Sequence, residues 1–120
     1  TTTFHLKPIY FDTNKSNIRP DAANELAIVL RVMKQYPEMK IAVKTHTDCR
    51  ATADYNRKLS DRRAVSIMNW LVANGIAKNR LTAKGYGESQ LINKCADGVK
   101  CSEEEHQANR RSEFIVTSMK

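Results

Sequence analysis

The feature that most constrains this chain is the spacing of its apolar residues, which follows a helical repeat in some segments and a strand repeat in others. Two segments carry the helical spacing, in which apolar residues recur every three or four positions and line one buried stripe. The stripe of the first segment comprises Leu26, Val29, Leu30 and Met33. The stripe of the second comprises Ala64, Ile67, Met68 and Leu71. Two amphipathic helices are therefore predicted, each with an apolar face that needs a partner layer.

The limits of both helices are marked by turn residues. Pro20 and Asp21 open the first helix, and Pro37 ends it, because proline disfavours helical backbone in the residue before it. The second helix is longer; it follows a polar loop over residues 48–53 and closes at Asn74-Gly75, where glycine accepts the left-handed backbone of a helix end.

The rest of the chain shows strand periodicity. Residues 39–47 alternate apolar or threonine side chains with Lys40, Ala42, Lys44 and His46, the pattern of a strand with one buried face. Three further strands are predicted over residues 4–11, 80–86 and 114–116, and a short helix over 103–109. Pro8 makes the start of the first strand irregular.

The element order β-α-β-α-β-β predicts an α+β domain, a two-layer sandwich with helices on one face of a mixed four-stranded sheet. The 120 residues fit one domain, 1–120, without internal repeats or linkers. No apolar run approaches the roughly 20 residues of a membrane helix. The sequence has no signal peptide and starts abruptly at Thr1, so we expect it to be excised from a longer precursor.

The net charge of +7 raises the question of a nucleic-acid partner. The 20 basic residues are interleaved with 13 acidic ones along the whole chain, and no basic block stands out. The aromatic residues are scattered singly and form no base-stacking platform. We therefore predict no nucleic-acid partner.

Cys95 and Cys101 lie six positions apart in a polar stretch that contains Gly98. This spacing suits a small disulfide-closed loop in an oxidising compartment, and such a short closure stabilises by about 2 kcal/mol in the chain-entropy model. The alternative is half of a zinc site, which lacks a second ligand pair because His106 stands alone beyond it. The spacing favours the disulfide, and no metal or cofactor is predicted.

The densest polar signal spans the loop after the second strand and the first half of the long helix. Seven helical steps turn the chain by about 700°, which puts Asn56 and Arg63 on one stripe roughly 10 Å apart. Asp48 ends the preceding strand, where the chain doubles back alongside that helix. An aspartate and an arginine facing one cleft suit a zwitterionic ligand, whose ammonium meets the carboxylate and whose carboxylate meets the guanidinium fork.

Two simpler interpretations compete with this hypothesis. Asp48 and Arg63 can pair with each other above a solvated helix face, and the spacing alone favours that interpretation. The second interpretation is that Cys49 and His46 form a catalytic nucleophile–base pair. Strand alternation places residues three apart on opposite faces, so we predict no nucleophile–base pair and no enzyme.

Several ordered motifs decide between these interpretations. They are Thr47-Asp48, Asn56-x-x-Leu59-Ser60-x-x-Arg63-Ala64, Gly75-Ile76, Arg80-Leu81, Gly85-Tyr86-Gly87-Glu88, Asn109-Arg110-Arg111 and the opening segment 10–18. Together they resemble the OmpA-like C-terminal domain, shared by outer-membrane porins, the peptidoglycan-associated lipoprotein and flagellar motor stators. Residues 93–107 resemble the form of that domain in Bacteroidetes, in which the two cysteines pair.

The resemblance implies non-covalent recognition of the diaminopimelate residue of the peptidoglycan stem peptide. By motif, Asp48 and Arg63 form the centre of the site, Asp12 and Thr13 line it from the first loop, Asn56 adds a helix contact, and Arg110 closes the far side. It also implies a place in the periplasm, attached to the outer membrane of a Gram-negative bacterium. Contact with the membrane would come only through other parts of the parent envelope protein.

Two departures from the family pattern lie in the loop after Asp48. Ala51 stands where glycine is usual, which stiffens or reshapes the loop if that position needs positive φ, and Cys49 replaces a small polar residue. Three rival functions follow: a cell-wall amidase, a basic nucleic-acid module, and a protein-interaction domain of the OmpA-like fold that does not bind the wall.

Overall fold

The structure, a computed structural model, describes residues 2–3, 9–12, 15–90, 93, 95 and 99–119. Its elements in chain order are β1 (Thr2–Thr3), α1 (Pro20–Gln35), β2 (Lys40–Thr45), α2 (Ala53–Ala73), a 3-10 turn (Lys78–Arg80), β3 (Leu81–Gly85), α3 (Glu103–Asn109) and β4 (Ser112–Ser118). No helix in these ranges is long and apolar enough to cross a membrane.

Helix α1 begins at Pro20, as predicted, and buries a stripe that includes Leu26, Val29 and Met33. Its carboxyl end is held by Arg80, which lies 44 residues after Tyr36 in sequence. The Arg80 guanidinium donates to the carbonyl oxygens of Met33 and Tyr36, each at 2.8 Å. These bonds satisfy carbonyl groups that a helix end otherwise leaves without donors.

Helix α2 begins after Thr52, whose hydroxyl accepts a hydrogen bond from the backbone N–H of Tyr55 at 3.1 Å. This is a normal N-cap contact for threonine. The helix closes at Asn74, and Gly75 follows with φ of +108°. The predicted limits and buried stripe of α2 are confirmed, with Ala64, Ile67 and Leu71 in the core.

Strands β2, β3 and β4 form the main sheet. Strand β2 lies in the middle, parallel to β3 and antiparallel to β4. Alternate residues of β2, among them Ile41 and Val43, are buried against the helices. The apolar faces of α1 and α2 share one core with them, which confirms the predicted α+β class.

The first predicted strand, over residues 4–11, is not confirmed. Residues 4–8 lie outside the described part of the chain, and residues 9–11 are not in a strand. A two-residue pairing of Thr2–Thr3 with Val116 and Ile115 borders β4 instead. Among the described residues, a short bridge therefore occupies the place of the predicted fourth strand.

The disulfide between Cys95 and Cys101 is present, with the two Cα atoms 6.0 Å apart. The two sulfur atoms are bonded to each other, so they are not thiolate ligands of the zinc site that the sequence left as an alternative. The bridge closes the segment immediately before α3, and Cys49 is the remaining cysteine.

Candidate functional site

A cavity of about 650 Å³ opens at the end of the sheet where β2 leads into the loop before α2. Arginine is the most frequent residue type in its wall. Its lining residues are Ile9, Tyr10, Phe11, Arg19, Thr45, His46, Thr47, Asp48, Arg50, Ala51, Tyr55, Asn56, Leu59, Arg63, Glu103, Arg110, Arg111 and Ser112.

The segment that carries Asp48 into this cavity is held from both sides after β2 ends. The backbone N–H of His46 donates to the carbonyl of Arg111 at 2.8 Å, and that of Thr47 donates to the carbonyl of Gly87 at 2.8 Å. These two bonds extend the sheet pairing for two residues. As a result, the Asp48 side chain is only 7% exposed.

Asp48 binds two arginines. Its Oδ2 accepts hydrogen bonds from Nη2 of Arg50 at 2.8 Å and Nη1 of Arg110 at 2.5 Å, and its Oδ1 accepts the backbone N–H of Arg50 at 3.0 Å. Burial by itself raises the pKa of the Asp48 carboxyl, but the hydrogen bonds from Arg50 and Arg110 outweigh burial and hold that pKa below its usual range. Asp48 is therefore a carboxylate at neutral pH.

Glu103, the first residue of α3, joins the same network from the cavity mouth. Its carboxylate accepts hydrogen bonds from Arg50 Nη1 at 2.7 Å and from Arg110 Nη2 at 2.6 Å. These bonds lower the pKa of Glu103. Sequence reasoning missed both Glu103 and Arg50 as site residues. Arg50 carried a local signal, because it follows Asp48 by two residues, whereas Glu103 carried none.

Arg63 does not pair with Asp48, so the simpler interpretation of their spacing is wrong. Its guanidinium donates instead to the backbone carbonyls of Lys15 at 3.0 Å and Asp12 at 3.3 Å, and it lies over the Phe11 ring at 4.8 Å from the ring centre. Among the described residues, its hydrogen-bond partners include no carboxylate. Burial lowers the pKa of the Arg63 guanidinium, which nevertheless stays protonated at neutral pH.

Asn56 is buried at the base of the Asp48 loop. Its amide Nδ2, which carries two N–H groups, lies within hydrogen-bonding distance of the carbonyl of Arg50 at 2.9 Å, the carbonyl of Asp48 at 3.2 Å and the Glu88 carboxylate at 3.2 Å. Three acceptors on one amide group tie the first turn of α2 to the loop. Asn56 also lines the cavity, so a direct ligand contact remains a prediction beside this supporting role.

The family resemblance implied that Asp12 lines the site from the first loop, and the structure does not place it in the cavity wall. The Asp12 side chain is 54% exposed and forms an ion pair with Arg19 at 3.5 Å, and Asp12 is not among the lining residues. Its backbone carbonyl, as described above, contacts Arg63. Thr13 lies outside the described residues. Arg110, by contrast, lines the cavity and donates to Asp48, and its contact with a ligand stays a prediction.

His46 and Cys49 are both buried, but the histidine has a different partner from the one a catalytic pair needs. His46 Nε2 pairs with the Glu113 carboxylate at 2.5 Å, and its ring stacks on Tyr86 at 5.4 Å between ring centres. Burial and the nearby Arg111 lower the pKa of His46 below its usual value, against the opposing effect of Glu113. His46 is therefore neutral at pH 7.

Ala51 adopts φ of +74°, the left-handed region. The loop thus keeps the backbone that glycine favours although alanine occupies the position. A side chain with a Cβ atom costs roughly 1–2 kcal/mol in this region. Ala51 therefore holds a strained backbone conformation in this loop.

We expect Ala51→Gly to stabilise the fold by about 1 kcal/mol, because removal of the Cβ atom relieves the strain and outweighs the added freedom of the unfolded chain. Urea unfolding measures this change. Ala27→Gly is the matched control; Ala27 is exposed within α1, where glycine destabilises by about 1 kcal/mol. Destabilisation by both variants would contradict the assigned strain.

The cavity carries more positive than negative charge. Five guanidinium groups line it, from Arg19, Arg50, Arg63, Arg110 and Arg111, against the two carboxylates of Asp48 and Glu103. Arginine forks bind carboxylates through two parallel hydrogen bonds. The arrangement therefore suits a ligand that brings a carboxylate to Arg63 and an ammonium group to Asp48.

Comparison with known proteins agrees with this architecture. The OmpA family profile matches residues 10–105. The chain belongs to the OmpA family. This OmpA-family chain is 39% identical over 93 residues to the peptidoglycan-associated lipoprotein of Mesorhizobium japonicum, a match that covers 78% of the chain and 55% of the lipoprotein. It is 38% identical over 108 residues to outer membrane porin F of Pseudomonas fluorescens, covering 90% of the chain and 32% of the porin.

A solved structure of similar sequence has the same fold. The cell wall anchor of the T6SS from Pseudomonas aeruginosa superposes with a TM-score of 0.73 at 27% identity, covering 88% of this chain and 73% of that one. The OmpA-family chain spans about half the length of the lipoprotein and about a third of the porin.

Proposed function

We propose that this OmpA-family chain binds peptidoglycan non-covalently and anchors the envelope protein that carries it to the cell wall. The names of two similar proteins, a peptidoglycan-associated lipoprotein and a cell wall anchor, support this proposal. So does the polar cavity, which holds a buried carboxylate among arginines. The chain acts here as a binding module and not as an enzyme.

The proposed ligand group is the free end of diaminopimelate in the stem peptide, which carries an ammonium and a carboxylate on one carbon. The observation that carries this assignment is the state of Arg63, a half-buried guanidinium whose contacts within the described part of the chain are backbone carbonyls and the Phe11 ring. A ligand carboxylate would give this guanidinium two parallel hydrogen bonds to a charged partner. The ligand ammonium takes a place on Asp48, exchanging with one of its two guanidiniums.

The proposed location is the periplasm, with attachment to the outer membrane of a Gram-negative bacterium. The similarity to an outer membrane porin and to a lipoprotein supports it. The Cys95–Cys101 disulfide supports it independently, since disulfides persist in oxidising compartments such as the periplasm.

A sacculus pull-down with stem peptides as competitors tests the proposal. We expect a diaminopimelate stem to release the chain from purified sacculi at a concentration about tenfold or more below that of a lysine stem. The lysine stem supplies the ammonium but leaves the Arg63 fork without its carboxylate, and a buried group left without its partner costs roughly 1–3 kcal/mol. Equal competition by the two peptides would show that the carboxylate is not recognised.

The same preparation separates the rival functions. Release of soluble fragments from the sacculi would identify a hydrolase. Retention on DNA with a steep dependence on salt would identify a nucleic-acid module. Failure to sediment with sacculi, in a folded chain, would favour a protein-interaction domain of the same fold.

A further inference from the structure

Glu103 occupies a position in the cavity that the proposed function does not use. It is the first residue of α3, its side chain is 62% exposed, and its two carboxylate oxygens face the guanidiniums of Arg50 and Arg110. The bond to Arg50 is 2.7 Å and that to Arg110 is 2.6 Å. This is the geometry in which a bound carboxylate would meet a pair of arginines.

Asp48 lies on the other side of the same two arginines. Arg110 donates from Nη1 to Asp48 and from Nη2 to Glu103, and Arg50 also donates to both carboxylates. The two guanidiniums therefore bridge two carboxylates, one buried and one at the cavity mouth. A ligand that brings its ammonium to Asp48 and its carboxylate to Arg63 also brings that carboxylate towards Arg110, whose positive charge lies close enough to lower the pKa of Arg63 and which Glu103 already holds.

Contacts on both sides of Glu103 in the sequence fix its position. The disulfide at Cys101 closes the preceding loop. The Ser102 hydroxyl accepts the N–H of Glu105 at 3.2 Å, and the Glu105 carboxylate accepts the N–H of Ser102 at 3.0 Å. This reciprocal pair is a capping box, and it fixes where α3 begins and hence where Glu103 points.

We propose that Glu103 competes with the ligand carboxylate and thereby limits the affinity of the site for a ligand that carries one. This inference rests on the proposed function, because it requires a ligand that carries a carboxylate beside its ammonium. Ion pairs at an exposed carboxylate are weak, so a ligand carboxylate can displace Glu103. A ligand without that carboxylate does not compete with Glu103, and it leaves the bonds from Glu103 to the two arginines in place.

Calorimetry of wild type and Glu103→Gln with the two stem peptides tests this role. Glutamine keeps the size of the side chain but loses its charge. Removing the competitor raises the binding-competent fraction, so the dissociation constant of the diaminopimelate stem should fall by about fivefold, the size expected for two exposed ion pairs. That of the lysine stem should change by less than about twofold, because no carboxylate enters the competition.

Glu104→Gln is the matched control, since it removes the same charge from the next, exposed position of α3. An equal gain in both variants would reduce the effect to net charge and overturn the proposal. Weaker binding by Glu103→Gln would also overturn it, since Glu103 would then position Arg110 for the ligand. If wild type binds neither peptide and Glu103→Gln binds the diaminopimelate stem, competition by Glu103 is supported. If neither protein binds either peptide, both the inference and the proposed function are overturned.

Discussion

Arg63→Ala should abolish binding to diaminopimelate-type peptidoglycan while the chain remains folded. Truncating one partner of a desolvated, hydrogen-bonded charge pair costs about 2–5 kcal/mol, which weakens binding by about thirtyfold at the least. Within the domain, Arg63 contacts the carbonyls of Lys15 and Asp12 and the Phe11 ring. These contacts lie at the cavity edge, so their loss should leave the core of α2 and the sheet in place.

Calorimetry with the diaminopimelate stem measures the loss, and circular dichroism verifies the fold. Arg62→Ala is the control, because Arg62 is the exposed neighbour and carries the same charge; it should bind within about twofold of wild type. Arg63→Lys keeps the charge without the planar fork and should recover only part of the affinity. A folded Arg63→Ala variant with an unchanged dissociation constant would exclude Arg63 from the site.

Gly85→Ala should destabilise the fold by about 3–5 kcal/mol, among the larger effects of a single substitution. Gly85 ends β3 where α2 crosses it. A Cβ atom there would lie 2.2 Å from the backbone nitrogen of Asp61 and 2.3 Å from the carbonyl carbon of Ser60. Backbone atoms of a helix cannot rotate away, so α2 would have to move off the sheet. That movement would break the bond from the Gly85 N–H to the Asp61 carboxylate, 2.8 Å long.

Urea unfolding of Gly85→Ala and Gly75→Ala separates this close approach from a general intolerance of alanine at glycine positions. Gly75 has φ of +108°, but the nearest atom to an added Cβ is the end of the Lys34 side chain at 3.7 Å. Only the left-handed backbone should cost stability there, by roughly 1–2 kcal/mol. Equal losses in the two variants would contradict the proposed clash between β3 and α2.

Much of the fold follows from local patterns. The stripes of α1 and α2 and the alternation along β2 arise from the 3.6-residue and 2-residue repeats of helix and strand, so they are visible in any short window of sequence. The sequence pattern predicts the first strand over residues 4–11, whereas the strand pairing within the described residues lies at Thr2–Thr3. An edge strand packs against one neighbour only, and its register is therefore weakly encoded in its own side chains.

The candidate site, like the fold, could be predicted from the sequence only in part. The family resemblance places Asp48, Arg63 and Arg110 in one site, and all three line the cavity. The resemblance did not show that Arg50 and Glu103 complete the network, or that Arg63 turns to backbone carbonyls. Arg110 meets Asp48 across 62 residues, and Arg50 meets Glu103 across 53. Such pairs depend on how the disulfide loop and α3 pack against the end of the sheet.

What the sequence by itself determined is the three helices, the strands β2 to β4, the pairing of Cys95 with Cys101, and the residue types that gather at the end of β2. Only the tertiary structure decided which guanidinium meets which carboxylate. Periodicity and capping act over a few residues, whereas an ion pair requires two side chains from distant segments to meet within 4 Å. Five arginines near two acids allow several pairings, and the packing of α3 beside the Asp48 loop selects the one observed.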